Sequence, residues 1–142
     1  MGKLVDRFNN EVWATIRPSK IHGVGIFAIR DIPKGIEIGK GCEETSIYYE
    51  LSDDDFIQLL EPIRNIILDR TQQGDIIRFR HPNCMAKLQS FMNHSLTPNS
   101  DGKITLVDIK KDEEITENFL TLNKTKLHKF IIERYINEGI IK

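Results

Sequence analysis

Cysteine is scarce in this chain, and several other features that would assign a class of protein are missing. Cys42 and Cys84 are the only cysteines among 142 residues, and neither belongs to a Cys-x-x-Cys pair. This argues against a structural zinc site or a disulfide framework and favours reduced thiols inside a cell. No apolar run approaches 18 residues, and charges occur throughout the first eleven residues. The sequence therefore predicts no membrane span and no secretory signal.

Positive and negative side chains are also nearly balanced in number. Twenty Lys and Arg residues stand against 21 Asp and Glu residues, for a formal net charge of -1. A chain without a basic excess has no general attraction for nucleic acid or anionic lipid. We therefore expect no direct nucleic-acid or membrane partner, and an intracellular location, either cytoplasmic or nuclear.

The composition is that of a folded protein. Apolar residues make up 39% and charged residues 29%, which is ordinary for a globular domain. The length suits one domain with a continuous core, and the chain contains no repeat, low-complexity tract or long linker. The sequence predicts a single α+β domain over residues 1–142, rich in short strands.

Alternation of apolar and polar residues predicts the strands. "EVWATIR" and "VGIFAIRD" have this pattern, and the Pro- and Gly-containing segments around them indicate an antiparallel meander. "IIRFRHPN" and "GKITLVDIKKDEEIT" read as further strands, the latter with "KKDEE" as a polar turn. "CMAKLQSFMNHS" is ambiguous between a helix and a turn.

Apolar residues at helical spacing predict two helical regions. In the first, over residues 52–71, Ser52 can cap the helix, and Pro62 is expected to break it and open a second short helix. The second is a C-terminal helix over 123–139, which begins at a capping Asn123 and ends at Gly139. Its apolar face comprises Leu127, Phe130, Ile131 and Tyr135.

The common catalytic and metal-binding patterns are not found. "HGVGIFA" lacks the third glycine of a dinucleotide-binding loop and no helix is predicted after it. The four histidines have no metal-ligand spacing, so no metal site is predicted. Neither cysteine has the local signature of a nucleophile, and no G-x-S-x-G segment is present, which argues against hydrolase chemistry.

Three other segments occur in an order that is informative. They are "HGVGIFAIRDIPKGIEI" at 22–38, "FMNHSLTPN" at 91–99 and "KKDEEITENF" at 110–119. Together they resemble the SET domain of protein lysine methyltransferases, in which a G-x-G strand precedes R-F-x-N-H-S-x-x-P-N and then G-E-E-L-T-F-D-Y. The resemblance covers about residues 15–120, with 45–80 in the place of the family's variable insert. It implies a mostly β fold with a C-terminal pseudoknot, through which the N-H-S segment is threaded.

The resemblance also implies a cofactor, S-adenosylmethionine. This molecule carries a sulfonium cation and an adenine ring, so its site needs close backbone approach, a few polar groups and apolar walls. By resemblance, the glycine strand lines the cofactor through main-chain groups, and the Asn-His pair binds it through side chain and backbone. The residues implied are Gly23, Val24, Gly25, Phe91, Asn93 and His94.

The sequence departs from the family pattern at the reacting centre. Aligning "DEEITENF" with G-E-E-L-T-F-D-Y puts Phe119 at the position of the catalytic tyrosine. Phenylalanine keeps the ring volume and a cation-attracting face, but one oriented oxygen is lost. Tyr48 and Tyr49 are candidate substitutes in the lysine channel, although a strand places only one of them on each face. Tyr135 is a third candidate, and for all three the alternative is packing.

The predicted function is methyl transfer from S-adenosylmethionine to lysine ε-amines of a protein substrate such as a histone tail. The alternative is a catalytically silent SET-fold binding or scaffold module, because Phe119 replaces the expected tyrosine. An α+β domain unrelated to methyl transfer would require three ordered motifs to coincide by chance. The apolar face of the C-terminal helix is expected to cover the site or, alternatively, to form a homodimer.

Overall fold

The computed structural model describes residues 2–70, 78–86, 91–118, 133, 134, 136, 137 and 139. Within these residues the fold is α+β, as predicted. The elements in chain order are helix α1 (Lys3–Glu11), strands β1 (Ala14–Pro18), β2 (Val24–Ala28) and β3 (Tyr49–Glu50), helices α2 (Asp53–Phe56) and α3 (Glu61–Arg70), strand β4 (Arg78–Phe79), helix α4 (Pro82–Ala86), and strands β5 (Asn93–His94) and β6 (Glu114–Glu117).

A four-stranded sheet carries the three motif segments. Its strand order is β1-β2-β6-β5. β2 pairs antiparallel with both β1 and β6, and β5 pairs parallel with β6. Because β6 lies between β2 and β5, segments that are far apart in the sequence meet on neighbouring strands. The threading of a pseudoknot stays a prediction.

The hairpin formed by β1 and β2 confirms the first part of the predicted meander. Its strands pair from Ala14 opposite Ala28 to Pro18 opposite Val24. The connecting turn closes with a 2.8 Å hydrogen bond from the Ser19 N–H to the Gly23 carbonyl. Gly23 has a φ of +46°, a conformation that glycine adopts without steric cost.

The predicted strand over residues 102–116 is regular only at its end. Glu114–Glu117 form β6, whereas Ile104, Thr105 and Ile109 each form an isolated bridge. Asp101 accepts hydrogen bonds from the backbone N–H groups at 103 and 104, at 2.9 and 2.8 Å. Such side-chain to backbone bonds compete with strand pairing, so the alternating pattern here yields a bent segment.

The helical prediction for residues 52–71 is confirmed. The Ser52 hydroxyl accepts from the Asp55 N–H at 3.2 Å and caps the single turn of α2. Pro62 is the second residue of α3, where its missing N–H is not needed. The break between the two helices therefore falls where the proline predicted it.

Helix α1 is an element that the sequence analysis did not predict. The family resemblance covers only about residues 15–120, but Val5 and Phe8 on α1 are completely buried. Their spacing of three residues is the signal that indicates an amphipathic helix. The N-terminal segment is therefore part of the packed structure.

The buried apolar side chains form two clusters. The first lies on the four-stranded sheet, and the second lies between α1, α3 and the ribbon of β3 and β4. The first comprises Ala14, Ile26, Ala28, Ile32, Ile38, Met92, Ile109 and Ile115. The second comprises Val5, Phe8, Val12, Ile29, Leu59, Ile63, Ile66, Ile67 and Phe79.

Most of the predicted C-terminal helix lies outside the described residues. Residues 133, 134, 136 and 137 are helical, and Gly139 has a φ of +74°, as expected for a helix that ends there. In the described part of the chain, no helix has the length and apolar character needed to span a membrane.

Candidate functional site

The side-chain amide of Asn93 joins β5 to the start of β2. Its nitrogen donates to the backbone carbonyls of His22, at 3.1 Å, and Val24, at 3.0 Å. Asn93 is almost completely buried. The structure therefore brings together the G-x-G and N-H-S segments, about 70 residues apart, as the motif order predicted.

A carboxylate holds the same amide from the other side. Glu114 Oε2 accepts from Asn93 Nδ2 at 2.8 Å, and both Glu114 oxygens lie near the Ser19 hydroxyl, at 2.6 and 2.9 Å. Ser19 was not predicted as a site residue, and Glu114 was noted only as part of the third motif segment. Ser19 carries no local signal, whereas Glu114 lies within the third motif.

These contacts fix the orientation of the Asn93 amide. The amide has two N–H donors, and three acceptors surround its nitrogen, so a reversed amide would put its oxygen against three other oxygens. The carbonyl oxygen Oδ1 is consequently the part of Asn93 that remains to accept a further donor. Among the described residues Oδ1 accepts no hydrogen bond.

Gly25 is packed tightly against this group. A Cβ at position 25 would lie 2.3 Å from Glu114 Oε2 and 3.0 Å from Asn93 Nδ2. Gly23, in contrast, has open space around it and needs glycine only for its positive φ. Glycine is thus favoured at the two positions for different reasons. At position 25 there is no room for a side chain, and at position 23 the backbone has a positive φ.

His94 follows Asn93 and is buried. It pairs with Glu117 in the parallel register of β5 and β6, and the next N–H, of Ser95, donates to the Glu117 carbonyl at 2.9 Å. Burial lowers the pKa of His94, so its imidazole is neutral near pH 7. Phe91, at the other end of the segment, is 40% exposed and available as an apolar wall.

The Pro-Asn turn after the N-H-S segment is bonded to β6. Asn99 Nδ2 donates to the Glu114 carbonyl at 2.8 Å, and Asn99 Oδ1 accepts from the Thr116 N–H at 2.9 Å. The Ser100 hydroxyl donates to the Thr116 carbonyl at 2.9 Å. The short polar side chains of this segment therefore bond to backbone groups on β6, and the Thr116 carbonyl also accepts from the Ser100 N–H at 3.1 Å.

The third motif contains a residue in the left-handed backbone conformation. Asp112 stands where the family pattern has glycine, and its φ of +72° is the only positive value at a non-glycine among the described residues. Of the last three residues of the motif, the structure describes Glu117 and Asn118. Burial, and then the charge of Asp101, raise the pKa of Glu117. Phe119 lies outside the described residues.

Tyr48 and Tyr49 occupy opposite faces of the β3–β4 ribbon. Tyr49 packs edge-on against Phe8, with ring centroids 5.2 Å apart, and its hydroxyl contacts Arg7 and Glu44. Tyr48 is 53% exposed. Their assignment to a lysine channel stays a prediction, and Tyr135, the third candidate, lies outside the described residues.

Metal ligands are not clustered in the described part of the chain. No group of three or more His, Cys, Asp or Glu side chains there has an arrangement that could hold a metal ion. Cys42 and Cys84 are both free thiols.

A family model described as the SET domain matches residues 23–120, which is more than half of the chain. The chain belongs to the SET domain family. The match begins at the first glycine of the G-x-G segment and extends one residue past Phe119. It confirms the resemblance inferred from the three motifs and the SET fold that they implied.

Solved structures similar to this SET domain have low sequence identity to it. One is a Plasmodium falciparum protein described as a histone methyltransferase, with 17% identity and a TM-score of 0.36, covering 76% of this chain and 93% of its own. Another is apo ctPRC2 with two substitutions in Ezh2, with 17% identity and a TM-score of 0.40, covering 87% of this chain and 16% of its own. No curated protein matches the chain.

Proposed function

We propose that this SET domain transfers a methyl group from S-adenosylmethionine to lysine ε-amines of a protein substrate. The proposal is supported by family membership and by the fit of the Asn93 site to that cofactor. A fixed amide oxygen, Asn93 Oδ1, is suited to accept from the cofactor's ammonium group. The absence of a side chain at Gly25 leaves the β2 backbone open to close approach.

The residues assigned to the cofactor have distinct roles in this proposal. Gly23, Val24 and Gly25 offer main-chain groups, Asn93 and His94 offer side-chain and backbone contacts, and Phe91 offers an apolar wall. The carboxylate of Glu114 orients Asn93 and places a negative charge near a positively charged ligand. The cofactor, when bound, supplies an electrophilic methyl group on a sulfonium.

The lysine must lose its proton before it can accept the methyl group. A free lysine has a pKa of about 10.4, so only about one in a thousand side chains is neutral near pH 7.4. A dehydrated channel and a nearby sulfonium cation both lower that pKa. We assign Phe119 and either Tyr48 or Tyr49 to the channel. The face of the Phe119 ring attracts the incoming ammonium group, but this residue supplies no hydroxyl.

A second candidate function rests on that missing hydroxyl. A SET domain that keeps the cofactor site but lacks the oriented oxygen is suited to be a catalytically silent binding or scaffold module. Both candidates require cofactor binding, and they differ only in whether the methyl group is transferred.

Calorimetry with S-adenosylmethionine tests the shared requirement. We expect Asn93→Ala to lower affinity by at least about tenfold, or about 1.4 kcal/mol, because a fixed polar contact is lost. The matched control is Asn10→Ala, an exposed position on α1, which should bind like the parent. If the parent does not bind, or Asn93→Ala binds equally well, the cofactor proposal is wrong.

A transfer assay then separates the two candidates. The parent and Phe119→Tyr are incubated with methyl-labelled S-adenosylmethionine and a mixture of protein substrates, and labelled lysine is quantified after hydrolysis. Transfer by the parent supports the enzyme. Cofactor binding without transfer by the parent, with transfer restored in Phe119→Tyr, would instead establish the silent module.

A further inference from the structure

The β3–β4 ribbon has an inner face and an outer face. Tyr49 pairs with Phe79, and both rings pack against Phe8 in the core. Glu50 pairs with Arg78. Since side chains alternate along a strand, the outer face comprises the residues on either side of the inner pair. These are Tyr48, Glu50, Arg78 and Arg80.

Two guanidinium groups lie against one exposed aromatic ring on this outer face. The Arg80 guanidinium carbon is 5.3 Å from the centroid of the Tyr48 ring, and that of Arg78 is 5.9 Å away. Arg80 Nη2 also donates to the Tyr48 hydroxyl at 2.9 Å. We call Tyr48, Arg78 and Arg80 the Tyr48 surface. The ring and the hydroxyl hold the two cations in place before any partner arrives.

The charge of this surface is only partly neutralised. Arg78 Nε lies 3.1 Å from Glu50 Oε1, in an exposed ion pair. Arg80 forms no ion pair with any described residue, and the Tyr48 hydroxyl is its only hydrogen-bonding partner there. One oriented guanidinium therefore keeps its carboxylate-binding edge available.

A cavity of about 150 Å³ adjoins one of the two arginines. Of the described residues, Tyr48 and Arg78 line it. Cavities of that size hold a group as large as benzene. The surface thus offers a cation that forms no ion pair with a described residue, and space for one side chain beside an aromatic wall.

We propose that the Tyr48 surface binds an acidic segment of a partner protein. A Glu or Asp carboxylate pairs with the Arg80 guanidinium, and the aliphatic part of the bound segment lies against the Tyr48 ring. Nucleic acid is disfavoured as the occupant because it requires a row of cations, whereas this face carries two arginines and one glutamate. The proposal does not rest on methyl transfer, because it assigns Tyr48 to this surface and leaves Tyr49 for the lysine channel. The ribbon that carries the surface lies outside the sheet that carries Asn93.

Fluorescence anisotropy with a labelled acidic peptide tests the proposal on the intact chain without cofactor. The probe is a peptide of about six residues in which Glu and Ser alternate, and the reference probe has Gln in place of each Glu. At about 50 mM salt, where screening is weak, we expect the acidic peptide to bind and the neutral peptide not to bind. Parent protein that binds neither, or both equally, would overturn the proposal.

Charge-matched variants locate the binding. Arg80→Gln should weaken acidic-peptide binding by about fivefold, the scale of one exposed ion pair. Arg80→Lys, which keeps the charge but not the planar fork, should lose less. The control Lys34→Gln removes one positive charge at another exposed position and should bind like the parent. An equal loss in Lys34→Gln would mean that only net charge matters, and would contradict a defined surface.

A competing occupant is tested with the same variants. A labelled oligothymidylate of similar length replaces the peptide, and thermal unfolding confirms that each variant is folded. We expect it to bind more weakly than the acidic peptide. Tighter binding of the oligonucleotide with the same dependence on Arg80 would assign the surface to nucleic acid and overturn the proposal.

Discussion

A single carboxylate, Glu114, determines how the Asn93 amide is presented. It accepts from Asn93 and from Ser19, which lies 95 residues earlier in the chain. Neither contact could be predicted, because an acidic residue beside a polar turn is ordinarily solvated and Ser19 belongs to no motif. The motif predicted that Asn93 is functional, whereas its orientation depends on residues that only the fold brings together.

Gly25→Ala should disturb this group through steric contact alone. The new methyl would lie 2.3 Å from a Glu114 oxygen, so the carboxylate must move and release Ser19 or Asn93. We expect a loss of about 1–3 kcal/mol in the free energy of unfolding, measured with urea, and weaker binding of S-adenosylmethionine.

Two further variants identify the cause. Gly35→Ala, with φ of +87° and open space, should lose about 1–2 kcal/mol from backbone strain and keep its cofactor affinity. In the double variant Gly25→Ala, Glu114→Ala the clash is removed, so its loss should be smaller than the sum of the single losses. Additive losses would rule out the clash.

At the scale of elements, α1 is held by a network of charged and aromatic side chains. Arg7 donates to the Tyr49 hydroxyl at 2.8 Å and to Glu44. The hydrogen bond to Glu44 is the largest of the contributions that raise the pKa of Arg7. Burial by itself would raise the pKa of Glu44, but hydrogen bonds from Arg7 and Tyr49 leave it below its usual range. Arg7 thus joins α1 both to the β3–β4 ribbon and to the loop before β3, which contains Glu44.

His81 joins the other end of α1 to the start of α4. Its Nε2 lies 2.8 Å from Glu11 Oε2, and its Nδ1 accepts from the Asn83 N–H at 3.1 Å. The ring is completely buried, and Gly41 packs so closely that a Cβ there would lie 2.4 Å from it. Since Nδ1 accepts a backbone donor, the proton of the neutral ring is on Nε2, and a second proton would break the Asn83 bond.

The two buried histidines should therefore each make the protein less stable as the solution becomes acidic, whereas Glu117, whose pKa is raised by burial, acts in the opposite direction. Burial lowers the pKa of His81 despite the opposing effect of Glu11, and burial also lowers that of His94. In both cases the unfolded chain takes up a proton first, below about pH 6.5, while the folded chain stays neutral. The contribution of each histidine to the free energy of unfolding is full above that pH. It decreases as the pH falls from there toward the lowered pKa of the folded state. The slope is at most about 1.4 kcal/mol per pH unit for each group.

Urea unfolding at a series of pH values between about 5.5 and 8 measures this slope. We expect His81→Gln to reduce it and His94→Gln to reduce it separately. The control Asn10→Gln, at an exposed position without a titratable group, should leave it unchanged. Glu44, whose pKa is held below its usual range by hydrogen bonds, contributes only in more acidic solution, outside this range. A slope that is the same in His81→Gln and the parent would show that burial of His81 does not govern the pH dependence.

At the scale of the whole molecule, the second apolar cluster makes the N-terminal helix and the ribbon one packed unit. Phe8 lies at its centre, with ring centroids 5.2 Å from Tyr49, 5.6 Å from Phe79 and 5.2 Å from His81. Each of these contacts joins segments at least about 40 residues apart in the sequence. Such contacts stabilise the fold only after long loops have closed at a cost in entropy. We therefore expect this cluster to form together with the rest of the domain, in one cooperative step.

Phe8→Ala should accordingly destabilise the entire domain. Removing a completely buried ring costs about 3–5 kcal/mol in the free energy of unfolding, measured with urea. Phe8→Leu should cost less, and it keeps the measurement possible if the alanine variant does not fold. The control Ile57→Ala, at a side chain that is 67% exposed, should change stability by no more than about 0.5 kcal/mol. Equal effects at positions 8 and 57 would contradict this placement of α1.

The sequence by itself determined the features that depend on neighbours along the chain. Alternation placed β1 and β2, the Ser52 hydroxyl marked the cap of α2, and Pro62 marked the start of α3. Each depends on a period of two or on a hydrogen bond within one turn, so local residues suffice. The three ordered motifs also sufficed to identify the SET family.

The tertiary structure decided what depends on residues distant in sequence. It placed α1 in the core, turned Tyr49 inward and Tyr48 outward, and fixed the Asn93 amide between β2 and Glu114. The local pattern can indicate that α1 is amphipathic and that Tyr48 and Tyr49 lie on opposite faces, but it does not encode what these groups pack against. Each of these contacts requires the closing of a loop, and those of Glu114 join residues 21 and 95 positions apart. The family of this chain is therefore readable from its motifs, whereas the orientation of its site is a property of the folded chain.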